Sequence, residues 1–129
     1  INYLPKDQMP GLLSAATVTT SFFIDLPEMQ NNSANKFFDA LAAGKPIMIN
    51  YGGWQADLLR KNEAGLVVPA NDPCNAAEQL SALISNQAAL RKMGTASKHL
   101  ASQFDVERCF KLFAKSIDTA NDMHQRNIF

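Results

Sequence analysis

The sequence predicts an α/β fold in which a parallel sheet of about four strands carries flanking helices and continues into a helical C-terminal part. Short apolar segments of strand character alternate with segments of helical period as far as Val68, and only helical segments follow Asp72. This alternation is typical of a parallel sheet with helices packed against it. A chain of 129 residues, 47% of them hydrophobic, is long enough for one domain with a core and too short for two. We therefore expect residues 1–129 to form a single domain.

Four segments have the composition and length of strands. Residues 17–24 are rich in β-branched and aromatic side chains, which favour strands. The short apolar run that follows Pro46 is typical of a buried strand. The predicted strands cover residues 1–4, 17–24, 47–49 and 66–68. We expect helices to cover both faces of this sheet.

Helical periodicity fills the segments between and after these strands. The predicted helices cover residues 8–16, 34–43, 54–62, 73–84, 88–102 and 106–122. Asp72 followed by Pro73 indicates an N-cap and a proline in the first helical position. The last helix carries an apolar stripe, the pattern of a helix that packs on one face. The stripe consists of Val106, Cys109, Phe110, Phe113 and Ile117.

The helix predicted over residues 34–43 has clear signals at both ends. Ser33 is a suitable N-cap, and Gly44 and Pro46 end the helix. Four apolar residues at helical spacing predict one buried stripe. They are Phe37, Phe38, Leu41 and Ala42. Asp39 lies away from this stripe, which raises the question of what its carboxylate does.

Composition and charge exclude several classes of partner. The chain has 12 basic and 12 acidic residues, so it offers no excess positive charge to nucleic acid or to an anionic membrane. No apolar run has the length of a membrane-spanning helix. Cys74 and Cys109 lie far apart and form no metal-ligand spacing with His99 or His124, so we expect no metal. Two isolated cysteines fit a reducing compartment, and we expect a cytoplasmic protein.

The stretch before the second predicted helix could bind a phosphorylated ligand. The first turn of a helix has unpaired backbone N–H groups and the positive end of the helix dipole, and small side chains at Ser33 and Ala34 would let a phosphate approach. Asn31, Asn32 and Asn35 add amide donors and acceptors, which suit a hydroxyl-rich ligand. The alternative is a polar loop with a capping serine and a solvent-facing aspartate.

The stretch NSANKFFDALAAGKPIM, together with a Gly-Gly pair and NEAGLVVPANDP, resembles the donor-binding half of family 4 glycosyltransferases of the GT-B fold. The resemblance includes LPKDQMPGLLSAATV upstream and extends to about Leu100. It is strongest to bacterial cell-surface polysaccharide enzymes of the L-fucosamine transferase type. A Rossmann-like sheet is the fold that this resemblance implies.

The resemblance also implies roles for individual residues. Similar enzymes have two Glu residues separated by seven others, one near the donor sugar and one on the ribose, and these positions fall on Asn31 and Asp39. Asp39 keeps the carboxylate for the ribose, whereas Asn31 offers the sugar only a neutral hydrogen bond. The donor sugar and the diphosphate would be held by the backbone N–H groups of residues 32–36, namely Asn32, Ser33, Ala34, Asn35 and Lys36. The nucleobase would lie near Pro5 and Lys6, and Gly52 and Gly53 match the Gly-Gly loop of the family.

Family members are mostly retaining transferases that move a sugar from a nucleotide donor to an acceptor held by another lobe. The resemblance implies that this chain is the terminal part of such an enzyme, without the acceptor-binding N-terminal domain. It implies a UDP-sugar as substrate, no cofactor, and a lipid-linked or saccharide acceptor in capsule or O-antigen synthesis. Membrane contact would come only through the missing domain, catalytic residues are not assigned, and the chain alone should be inactive. A non-catalytic nucleotide-binding or interaction module, and a sugar-nucleotide epimerase, remain alternatives.

Overall fold

The computed structural model describes residues 4–126 as an α/β fold with a small parallel sheet and many helices. The strands are β1 (Thr19–Ser21), β2 (Ile47–Ile49) and β3 (Gly65–Val67). The helices are α1 (Met9–Ala15), α2 (Asn35–Ala42), α3 (Trp54–Asn62), α4 (Pro73–Ile84), α5 (Gln87–Ala101) and α6 (Val106–Arg126). Three short 3₁₀ helices, Lys6–Gln8, Pro27–Asn31 and Ser102–Phe104, complete the described part.

The sheet has the order β1-β2-β3, and both neighbouring pairs run parallel. Ile47 of β2 lies opposite Thr19 of β1 and Gly65 of β3. The predicted parallel α/β class is therefore confirmed, with three strands in the described residues instead of about four. The strand predicted over residues 1–4 lies almost entirely outside the described residues.

The second predicted strand is shorter in the structure than its composition indicated. Residues 17–24 were expected in it, but β1 covers only Thr19–Ser21. The backbone of Phe23 pairs with the side chain of Asn50 instead of with a strand. Because the Asn50 side chain takes the backbone hydrogen bonds of Phe23 that a neighbouring strand would make, β1 ends at Ser21 although the following residues favour extended structure.

Both faces of the central strand are covered. Successive side chains of a strand point to opposite faces of the sheet. Ile47 and Ile49 point to one face and are fully buried, and Met48 points to the other and is only 3% exposed. The main core on the first of these faces also contains Phe37, Leu41, Leu59 and Leu100. The central strand is therefore buried on both faces, which stabilises the sheet.

Helix α2 ends as predicted and begins differently. Gly44 has a φ of +66°, its N–H donates to the Leu41 carbonyl, and the Lys45 N–H donates to the Ala40 carbonyl. This is a Schellman C-cap, in which glycine adopts the left-handed conformation at no steric cost. The predicted N-cap at Ser33 is wrong: the N-cap position is Ala34, and no side chain caps the helix.

The buried face of α2 also differs by one residue from the predicted stripe. Phe37 and Leu41 are fully buried as expected, and Phe38 is half-buried. Ala42 is exposed, whereas Ala40 is fully buried. The helix is therefore rotated slightly toward Ala40, and Asp39 stays exposed.

The C-terminal helices follow the predicted boundaries closely, but the last one does not bury its apolar stripe. Asp72 caps α4 by accepting a hydrogen bond from the Asn75 N–H at 2.9 Å, as predicted. On α6, Phe110 and Phe113 are 66% and 64% exposed. The stripe that the sequence predicted for a packed helix is therefore open along this surface.

Among residues 4–126, no helix combines the length and the apolar character that crossing a bilayer requires.

Candidate functional site

One side chain ties together the carboxyl ends of β1 and β2. Asn50, directly after β2, accepts a hydrogen bond from the Phe23 N–H at 2.9 Å. Its Nδ2 donates to the Phe23 carbonyl oxygen at 2.8 Å. The amide thus makes the two hydrogen bonds that a further strand residue would have made. The loop that leads from β1 towards α2 therefore leaves the sheet in a fixed direction.

The backbone of Gly53 positions the chain immediately before Asn31. Gly53 has a φ of +82°, and a Cβ added there would lie 1.9 Å from the Gln30 carbonyl oxygen. No side chain fits in that space, so the 3₁₀ helix Pro27–Asn31 packs directly on this glycine. At Gly52 an added Cβ would meet only the Gln30 side chain, at an ordinary 3.6 Å. Glycine is therefore required at the second position of the Gly-Gly loop, because both the positive φ and the close contact with Gln30 disfavour a side chain there.

A polar cluster lies beneath this loop. The hydroxyl of Tyr51 lies 3.2 Å from Ser21 Oγ and 3.0 Å from Gln55 Oε1, and the Tyr51 ring packs on Phe23 with 4.9 Å between centroids. Burial raises the pKa of Tyr51, partly offset by the hydrogen bond with Ser21. Gln55 is 1% exposed, and its Nε2 has no partner among the described residues.

The loops after all three strands enclose a cavity of about 360 Å³, which we call the edge cavity. Its polar lining comes mainly from Asp25, Gln30, Asn50, Tyr51 and Arg60. This is the edge at which parallel α/β sheets bind ligands. The cavity has both a carboxylate and a guanidinium in its wall, so it suits a polar ligand better than an apolar one.

Among the described residues, the guanidinium of Arg60 forms an ion pair with Asp57 alone. Its Nη1 lies 3.4 Å from Asp57 Oδ1, and both side chains are mostly exposed. Such an exposed pair is worth little to stability and is easily exchanged for a ligand. Arg60 is therefore available to a negatively charged group in the edge cavity.

The segment from Asn31 to Lys36 runs from this cavity into the first turn of α2. Asn31, Ser33, Asn35 and Lys36 are exposed, Asn32 is half-buried and Ala34 is buried. Among the described residues, the amide N–H groups of 33–36 have no hydrogen-bond acceptor. The segment therefore presents a run of free donors at the positive end of a helix dipole.

Two of the predicted phosphate contacts differ from expectation. The Asn32 N–H donates to the Met29 carbonyl at 3.2 Å, so it is not free for a phosphate as predicted. The ammonium of Lys36 lies 5.2 Å from the centroid of the Phe23 ring, a cation–π contact. Lys36 therefore lies over the loop after β1, where the sequence had suggested a role only for its backbone.

Asp39 and Lys6 line one cavity of about 480 Å³, which we call the Lys6–Asp39 cavity. Its remaining wall is largely apolar, with Met9, Leu13 and Ala42 among its residues. The side-chain carboxylate of Asp39 forms no hydrogen bond or ion pair with any described residue. The carboxylate is therefore free to accept hydrogen bonds from a ligand.

The structure brings some of the predicted site residues together and separates others. Lys6 and Asp39, 33 positions apart in the sequence, line one cavity. Pro5 is exposed, and its carbonyl accepts a hydrogen bond from the Gln8 N–H at 3.0 Å. Asn31 ends a 3₁₀ helix beside the edge cavity and does not share the cavity of Asp39.

Sequence reasoning missed the polar residues that follow β2 and the arginine of α3. Asn50 and Tyr51 come directly after the strand Ile47–Ile49. Because the carboxyl ends of parallel strands meet at one edge, their position after a buried strand was a usable signal. Arg60 gave no such signal, since its approach to the edge depends on how α3 packs.

Within residues 4–126, no group of three or more His, Cys, Asp or Glu side chains is arranged to hold a metal ion. Cys74 and Cys109 are both exposed and unpaired in this part of the chain.

Comparison of the chain with models of known protein families, with curated proteins and with solved structures finds no match.

Proposed function

We propose that this chain binds the nucleotide-diphosphate sugar donor of a retaining glycosyltransferase in surface polysaccharide synthesis. The observation that carries the proposal is the arrangement of two cavities around one segment. Residues 31–36 connect Gln30, in the wall of the edge cavity, with Asp39, in the wall of the Lys6–Asp39 cavity. The free amides of residues 33–36 lie in the segment between them.

Each part of a nucleotide sugar has a chemically suitable place in this arrangement. The nucleobase would pack on the apolar wall formed by Met9 and Leu13, near the ammonium of Lys6. The ribose hydroxyls would donate to the unpaired carboxylate of Asp39. The diphosphate would accept hydrogen bonds from the first turn of α2, and no metal is needed for that contact.

The sugar would then extend toward the edge cavity. Asn31 lies at the end of the 3₁₀ helix next to Gln30, and its side chain would make a neutral hydrogen bond with a sugar hydroxyl. Asp25 and Gln30 supply further polar side chains in the wall of that cavity. This layout assigns substrate binding to named residues and leaves the catalytic residues unassigned.

Asp39→Asn tests the ribose contact. The variant keeps the size of the side chain and removes its charge, so it should weaken UDP binding by about 1–3 kcal/mol, the range for a hydrogen bond to a charged group. Unfolding should be unchanged because Asp39 is exposed and unpaired in the described structure. The measurement is calorimetric titration of UDP, with urea unfolding of both proteins.

The control is Asp118→Asn, which makes the same change of charge on the exposed surface of α6. A second ligand, 2′,3′-dideoxy-UDP, isolates the ribose: it should bind the wild type more weakly than UDP does and should bind Asp39→Asn about as UDP does. If Asp39→Asn and Asp118→Asn bind UDP equally well, the proposed role of Asp39 is wrong. A loss of stability with unchanged affinity would mean that the protein itself satisfies this carboxylate.

A further inference from the structure

A second, positively charged groove lies at the opposite edge of the sheet, where the strands begin. It is formed by the chain before β1, the chain before β2 and one face of α5, and we call it the amino-edge groove. Its volume is about 660 Å³. The residues that matter here are Lys45, Arg91 and Lys98, with Thr17 and Gln87 as neutral polar neighbours.

The groove contains three cations and no acidic side chain in its wall. Among the described residues, none of the three is paired with a carboxylate, since the ion pairs there are Arg60 with Asp57 and Lys92 with Glu63. The whole chain has equal numbers of basic and acidic residues. A local excess of three positive charges in one groove is therefore a property of the fold and not of the composition.

One of the cations, Lys45, is held in place by the fold. Its ammonium donates to the Ser14 carbonyl oxygen at 2.7 Å, a neutral acceptor. The loop of Lys45 is locked to α5 because Gly94 packs on Gly44: a Cβ added at Gly94 would lie 2.7 Å from the Gly44 carbonyl oxygen. The two sides of the groove therefore cannot move apart without losing this contact.

The spacing of the cations indicates the kind of ligand. Arg91 and Lys98 are seven residues apart on α5, so their Cα atoms are separated by two helical turns, about 10 Å. Together with Lys45, they place three positive charges along the groove, which suits several linked phosphates better than one phosphate. The chain as a whole carries no excess positive charge, so it offers no broad attraction to an anionic lipid surface.

We propose that the amino-edge groove binds a chain of linked phosphates, with Lys45, Arg91 and Lys98 as its cationic contacts. This site is distinct from the donor site proposed above, because Asp39 and residues 31–36 do not line it. It adjoins the Lys6–Asp39 cavity through Ser14, so the two sites must be separated by experiment.

The test is calorimetric titration of inorganic tripolyphosphate at low ionic strength, compared with orthophosphate. Tripolyphosphate should bind more tightly than orthophosphate, and its affinity should fall as NaCl is raised. Arg91→Gln with Lys98→Gln should weaken tripolyphosphate binding by about tenfold or more, because two charge-assisted hydrogen bonds are lost. Lys45→Gln should weaken it as well.

The matched control is Lys61→Gln with Lys111→Gln, which removes the same two charges from exposed positions outside the groove. Melting curves confirm that each variant is folded. UDP affinity should be unchanged in Arg91→Gln with Lys98→Gln, and tripolyphosphate affinity should be unchanged in Asp39→Asn. This reciprocal result separates the groove from the donor site.

Three results would overturn the proposal. The first is an equal loss of tripolyphosphate affinity in the groove pair and the control pair. The second is orthophosphate binding as tightly as tripolyphosphate. The third is groove-dependent binding to phosphatidylglycerol vesicles without binding of tripolyphosphate, which would identify a membrane surface instead.

Discussion

Tyr51 links the carboxyl edge of the sheet to the buried interior. Its ring lines the edge cavity, while its hydroxyl lies between Ser21 of β1 and Gln55 of α3. Among the described residues, this hydroxyl is the hydrogen-bond partner of Gln55 Oε1. Gln55 Nε2 has no partner among them. One hydroxyl group therefore satisfies two buried polar side chains at once.

Removing this hydroxyl should destabilise the protein. Tyr51→Phe would leave Gln55 and Ser21 without their described partner, and we expect a loss of about 1–3 kcal/mol at neutral pH in urea unfolding. Burial raises the pKa of Tyr51, so the folded state favours the neutral phenol. The stability that the neutral Tyr51 phenol contributes is fully present below the ordinary tyrosine pKa of about 10. It is lost as the pH rises through the pKa of Tyr51 in the folded protein.

The difference in stability between wild type and Tyr51→Phe should therefore shrink above about pH 10. Other lysines and tyrosines titrate in both proteins, so the difference isolates Tyr51. Parallel stability curves from pH 7 to alkaline pH would contradict the burial of this phenol. Equal stability at neutral pH would contradict its role as a hydrogen-bond partner.

At the scale of elements, the candidate site depends on how a 3₁₀ helix packs on a loop. The helix Pro27–Asn31 has no buried residue of its own. Its position is set by the backbone contact between Gln30 and Gly53 and by the clamp of Asn50 on Phe23. Residues 31–36, which we call the proposed donor segment, are therefore positioned by contacts with the backbone that precedes them.

Gly53→Ala tests this dependence. The added methyl group overlaps the Gln30 carbonyl and sits at a positive φ, so we expect a loss of stability of about 1–3 kcal/mol. UDP affinity should also fall, because the chain before Asn31 must move. The measurements are urea unfolding and calorimetric titration of UDP.

Gly52→Ala provides the matched control, since its added Cβ meets only the flexible Gln30 side chain at 3.6 Å. That variant should keep both stability and affinity close to the wild type. If the two alanine variants behave alike, the contact at Gly53 does not position the proposed donor segment.

At the scale of the whole molecule, the two ends of the sheet differ in chemistry and one long helix stands apart. The free amides before α2 lie toward the carboxyl edge, and the amino edge carries a group of cations that are not paired with carboxylates. Helix α6 packs on the rest of the described structure mainly through the 3₁₀ helix Ser102–Phe104, and its apolar stripe is open. Both sites proposed above therefore lie outside the last helix, which offers a separate surface.

We predict that the chain binds a nucleotide sugar without transferring the sugar. Transfer needs cations at the departing diphosphate and an acceptor held at the reacting carbon. The proposed donor segment, residues 31–36, contains one cation, Lys36, and its ammonium lies over the Phe23 ring. Asn31 stands where the similar enzymes have a carboxylate and provides none. Release of UDP from UDP-N-acetylglucosamine or UDP-N-acetyl-L-fucosamine, with saccharide acceptors added, should equal the rate without protein. Turnover that Asp39→Asn abolishes would overturn this prediction.

The sequence by itself determined the class of fold and most element positions, because those depend on local patterns. Period and turn residues predicted α3 over Trp54–Asn62, the Gly44 stop of α2 and the Asp72 cap of α4. These signals act within a few residues of the chain. They do not depend on which elements pack against one another.

Tertiary structure alone decided which residues meet. Lys6 and Asp39 share a cavity, Asn50 ends β1 by binding Phe23, and Gly53 holds Gln30. Each contact joins residues more than 20 positions apart, so no local period encodes it. For the same reason the stripe of α6 was correctly recognised as apolar and its exposure was not, since a periodic pattern specifies a face and not the surface that covers it.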